Sequence, residues 1–142
     1  MKNFKIFICI LLMMAPSSAY AASKALSFDC ELVVKAGNSE FLEACGDGNA
    51  GIFKIKWTTW DTLKAEGIGF YGANDCKPYC AAGKFHYKKV KVILNNPMVI
   101  KGKTYLTSIN WWELDKSGQI KNGGDVGGWN LYSNFRMMQG KL

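Results

Sequence analysis

The sequence contains one histidine, no Gly-x-Ser-x-Gly segment and no Asn-x-Ser/Thr sequon. The first two absences leave little for hydrolysis through a nucleophile, since there is no serine elbow and only His86 can serve as an imidazole acid or base. The missing sequon, set beside a short leader, leans toward a bacterial periplasm or exterior. Long apolar runs are also lacking after residue 22, and a spanning helix needs about 20 such residues. No segment after residue 22 keeps an amphipathic helical spacing of convincing length, which turns the fold class away from helical bundles.

What is present begins with a leader. Lys2 and Lys5 give a positive start, Phe4 to Met14 is apolar apart from Lys5, and Ala19-Tyr20-Ala21 offers small residues where a signal peptidase cuts. Cleavage after Ala21 is expected, with residues 22–142 forming a single domain of 121 residues. The leader takes two lysines and no acid with it, lowering the formal charge from +7 to +5. A basic surface of this size favours anionic polymers, membrane headgroups or nucleic acid. Cys9 leaves with the leader; Cys30, Cys45, Cys76 and Cys80 remain, an even number suited to two disulfides in an oxidising compartment. Three pairings are open.

Gly46, Gly48 and Gly51 carry the spacing of a dinucleotide-binding loop, which requires a helix to follow. Instead Phe53, Ile55 and Trp57 alternate with Lys54 and Lys56, the period of a half-buried strand, and Asp47-Gly48 is a hairpin-turn pair. The glycines therefore turn a corner, and no cofactor is expected. The same loop has too few carboxylates for calcium. Cys76 and Cys80 have three residues between them, against two in thioredoxin-type redox pairs, and bridges are favoured over zinc in an oxidising compartment. No metal is expected.

Alternation recurs. Val90, Val92 and Leu94 oppose Lys89 and Lys91; Trp129, Leu131, Ser133, Phe135 and Met137 oppose Asn130, Tyr132, Asn134 and Arg136. Residues 105–114 are rich in β-branched and aromatic types and stop at the turn Asp115-Lys116-Ser117-Gly118. Ala65, Gly67 and Gly69 suggest a strand crossed closely by another backbone, or bent sharply. Residues 122–128, Asn-Gly-Gly-Asp-Val-Gly-Gly, read as a flexible loop. The expected fold is all-β: an antiparallel sandwich or small barrel of about seven strands, stapled by disulfides.

The pattern Ile55-x-Trp57-x-x-Trp60, Ala65-x-Gly67-x-Gly69, Asn74-x-Cys76-x-Pro78-x-Cys80-Ala81-x-Gly83-x-Phe85 and Val90-x-Val92-x-Leu94-x-x-Pro97 resembles small exported proteins common in actinobacteria. The opening Cys45-Gly46-Asp47-Gly48-Asn49 is similar too, and the match covers residues 44–107. Such relatives carry a cysteine shortly after the proline, where this chain has Met98, Val99 and Ile100, so the resemblance brings no disulfide pairing with it. It implies an exported β domain and assigns no activity.

The candidate binding residues are Lys84, Tyr87, Lys88, Lys89 and Lys91, which interleave cations with aromatics, together with the adjacent Trp111 and Trp112. Lysines attract anions and flat rings stack on sugars or bases. The expected function is a non-catalytic, exported binding module for an anionic polymer or glycan of the cell envelope, with nucleic acid a weaker alternative. A secreted hydrolase of RNA or wall polymer is the competing expectation, with His86 as acid or base beside Asp61, Glu66 or Glu113. An inhibitor of lysozyme-like enzymes suits the size, but its charge would repel a basic partner.

Overall fold

The computed structural model describes residues 23–140. The expected leader, residues 1–21, lies outside the described residues. Eight strands form one sheet: β1 (Leu26–Asp29), β2 (Leu32–Val34), β3 (Phe41–Leu42), β4 (Ala50–Trp60), β5 (Ala65–Asn74), β6 (Phe85–Ile100), β7 (Lys103–Glu113) and β8 (Val126–Asn130). The order is β2-β1-β7-β6-β5-β4-β3, with β8 also paired to β7. All pairings are antiparallel except β1 with β7, where Leu26 faces Tyr105. The all-β, disulfide-stapled class is as the sequence implies. The hydrogen-bonded ladder is a single sheet and is not closed.

Its two ends are nevertheless tied together. The Cys30–Cys45 disulfide joins the turn after β1 to the segment after β3, strands at opposite ends of the sheet order. Beside it the Asp29 carboxylate accepts a hydrogen bond from Leu42 N at 2.9 Å, and Trp60 Nε1 donates to Ala25 O at 2.8 Å. Burial raises the Asp29 pKa against the lowering effect of that backbone bond. The curled sheet wraps a core of Phe28, Phe41, Ile52, Ile55, Val90, Val92, Leu94, Leu106 and Ile109, all buried. Inward residues alternate with outward ones most plainly along residues 90–94 of β6, whereas the run 106–109 of β7 is buried throughout.

Sequence and structure part in several places. Residues 131–137, read as strand alternation, lie in a helix, α1 (Leu131–Met138), whose first turn is capped by the Asn130 side chain accepting from Ser133 N at 2.8 Å. Leu131 is buried, and Tyr132 and Phe135 pack on Phe28, so tertiary packing selects the helical period. Gly127 and Gly128, placed in a loop by composition, belong to β8; a Cβ at Gly127 would lie 2.8 Å from the Trp111 indole. The hairpin between β3 and β4 turns without the Asp47-Gly48 pair both at positive φ: Gly48 alone has it, and Gly48 N donates to Ala44 O at 2.9 Å. The small residues of β5 make room for a close backbone, but that of the paired neighbour β4 where its register shifts and not of a crossing strand: a Cβ at Gly67 would fall 2.7 Å from Lys56 O.

Candidate functional site

The outer face of β4, β5 and β6 carries the densest group of exposed apolar side chains near cations. A strand register fixes who stands there. Val90 and Val92 point into the core, so Lys89 and Lys91 point out, and Phe70 faces Lys89 while Ile68 faces Lys91 across the ladder. Tyr87 lies one pleat before Lys89 and faces Gly72. Phe85, Tyr87, Phe70 and Ile68 are exposed by 36, 59, 39 and 40%.

Phe53 joins them because of a bulge. The β4–β5 register shifts between Phe53 and Lys56, and Lys54 takes the left-handed backbone (φ 54°). The extra residue lets both Ile52 and Ile55 face the core while Phe53 faces outward opposite Phe70. Simple alternation had put Phe53 on the same side as Ile55. With Glu40, Lys54, Phe70 and Tyr87, Phe53 lines an open cleft of about 390 Å³. Phe53 meets Tyr87 edge-on at 6.3 Å and 77°, and Phe85 edge-on at 6.2 Å and 85°.

The candidate residues named from sequence divide between faces. Tyr87, Lys89 and Lys91 belong to the outer face, and Trp112, half-buried, faces Lys91 on β7. Lys84 is exposed but precedes β6. Lys88 points the opposite way from Lys89 and pairs with Asp125, which raises its pKa. Trp111 is not a surface residue: it is 6% exposed and stacks on Tyr71 at 4.2 Å, so it serves the core. Lys91 pairs with Glu66 at 3.5 Å, whereas Lys89 has no ion-pair partner among the described residues. Phe53 and Phe70 escaped the sequence reading as binding residues, and Phe85 belongs to the stretch 84–91 that interleaves cations with aromatics. Phe70 and Ile68 had a readable signal, because inward Gly67 and Gly69 leave their large neighbours facing solvent.

His86 lies apart from the cleft. Its side chain is 68% exposed and its ring Nε2 lies 3.1 Å from Asp75 Oδ2, not beside Asp61, Glu66 or Glu113. Asp75 Oδ1 also accepts from Lys84 N and Lys77 N, at 3.0 and 3.2 Å. The backbone bond from Lys84, then the His86 contact, lowers the Asp75 pKa to about 2. These contacts pin the loop closed by the Cys76–Cys80 disulfide. Among the described residues no hydroxyl or thiol hydrogen-bonds to His86.

One pleat along β5 from Ala73, which faces His86, Tyr71 donates its phenol proton to Glu43 at 2.8 Å, and exposed Lys121 pairs with Glu113 at 2.7 Å. Burial first, then the Glu43 bond, pushes Tyr71 up to about 12. Among the described residues no helix is long and apolar enough to cross a membrane, and no cluster of three metal-ligating side chains occurs. Comparison with protein-family models, curated proteins and solved structures finds no match to this chain.

Proposed function

We propose that this protein is a non-catalytic binding module of the cell envelope, exported by its leader, and that the outer face of β4–β6 holds an anionic or glycan ligand. The observation that carries this reading is the register that sets exposed Phe70 and Tyr87 next to Lys89, a cation with no ion-pair partner among the described residues. Exposed aromatic side chains grouped on one face supply apolar contact area to a ligand. Lysine adds an attraction that is long-ranged at low salt and screened above roughly 0.1 M, where the Debye length is about 10 Å. Two disulfides suit an oxidising compartment.

Retention on an immobilised anionic polysaccharide is the test. Lys89→Ala is expected to shorten retention at low salt, and Lys88→Ala to leave it nearly unchanged, because Lys88 is already paired with Asp125 on the opposite face. Equal behaviour of both variants would remove this face as the binding surface. Loss of a measurable hydrolytic activity in His86→Ala would replace the module with an enzyme.

A further inference from the structure

The cleft has two properties beyond its exposure. Its aromatic walls are not coplanar, because Phe53 stands at 77° to Tyr87, while Phe85, outside the lining, stacks near parallel on Tyr87 at 21°. Phe53 and Tyr87 therefore present surfaces at a steep angle to each other instead of one flat platform. Its polar lining also carries both signs, Glu40 and Lys54, and Lys89 stands outside that lining, opposite Phe70 on the next strand.

Those properties separate the ligands that an aromatic and basic surface could take. Single-stranded nucleic acid wants exposed faces for flat bases and cations along a phosphate backbone. A carboxylate such as Glu40 accepts hydrogen bonds and donates none, so it is matched by the several hydroxyls of a saccharide, whereas a phosphodiester offers it no donor. A saccharide ring offers C–H faces for aromatic contact and hydroxyls around its rim. Lys54 and Lys89, compact cations on flexible stems, suit an anionic substituent on that ring. A volume of about 390 Å³ falls within the range of small-ligand sites.

Resting on the binding-module reading, we infer that the cleft seats one ring of an acidic saccharide. The ring packs among Phe53, Phe70 and Tyr87, a hydroxyl donates to Glu40, and the anionic group meets Lys54 and Lys89. No covalent step is involved.

Calorimetric titration of the folded protein, both disulfides formed, tests this with three probes: tetragalacturonate, its methyl ester and a ten-residue thymidine oligonucleotide. Tetragalacturonate is expected to bind saturably, with the ester and the oligonucleotide each weaker by about tenfold or more. Phe70→Ala and Tyr87→Ala, both at exposed positions and checked by thermal melting, are each expected to weaken tetragalacturonate by about tenfold. Lys89→Ala is expected to erase the preference for acid over ester, and Glu40→Lys to raise the oligonucleotide's relative affinity. Absence of saturable tetragalacturonate binding, an oligonucleotide bound as tightly, or an unchanged Phe70→Ala affinity would each overturn the inference. The module reading stands apart from these outcomes: lysine-dependent retention on anionic polysaccharide with an inert Phe70→Ala sinks the saccharide seat alone, and no retention at all sinks both.

Discussion

The Tyr87 ring lies over the backbone of Gly72, so close that a Cβ there would fall 2.6 Å from Tyr87 Cε1 and 3.2 Å from Phe53 Cε2. The glycine is what lets one wall of the cleft fold down onto the sheet. Gly72→Ala is expected to lift Tyr87 and weaken ligand binding severalfold. Stability should change by less than about 1 kcal/mol, because alanine in a strand recovers part of what the displaced ring loses. Paired titration and thermal melting check this; a melted protein would mean that Tyr87 supports the fold instead.

The two disulfides should differ in weight. Cys30–Cys45 spans 15 residues and ties opposite ends of the sheet order, whereas Cys76–Cys80 spans 4. Replacing both Cys30 and Cys45 by serine is expected to cost about 3 kcal/mol in denaturant unfolding, and replacing Cys76 and Cys80 clearly less. The reverse order would show that the short loop, not the sheet ends, limits stability.

Alkaline pH should loosen the inner face. Tyr71 has its folded pKa raised to about 12, chiefly by burial. Its unfolded value is about 10, so its contribution is complete below that pH and is lost as pH rises through about 12. Stability measured from pH 9 to 12 is expected to fall more steeply in the wild type than in Tyr71→Phe. Parallel curves would contradict the burial assigned to this phenol.

On the acid side, Asp75 has its pKa lowered to about 2 by the Lys84 backbone bond and by His86. A depressed carboxylate stabilises above its unfolded value and loses that effect as pH falls toward the folded one. Carboxyl NMR titration should give Asp75 a midpoint well below the exposed aspartates, and His86→Ala should move it upward. An unmoved midpoint would break the His86–Asp75 contact.

Much of this architecture was written in short-range pattern. Val90, Val92 and Leu94 declare their inward face by alternation, the small residues of β5 declare a close backbone approach, and four cysteines declare two bridges. The helix at Leu131–Met138 was hidden because Leu131 and Phe135 satisfy a period of two as well as a spacing of i and i+4, and only contact with Phe28 decides between them. The cleft was hidden for a different reason. Phe53 reverses its side through a one-residue bulge at Lys54, a backbone choice with no side-chain pattern to announce it. Sequence could name Tyr87 and Lys89 as surface residues, but their partnership with Phe53 and Phe70 depends on a register set across three strands.

Chemical-shift mapping with an acidic oligosaccharide tests the outer face most directly. Titrating tetragalacturonate into isotope-labelled protein should perturb Phe53, Lys54, Phe70, Tyr87 and Lys89 together, and leave Lys88 and Trp111 still. Shifts confined to the His86–Asp75 edge, or to residues off the β4–β6 outer face, would contradict the account.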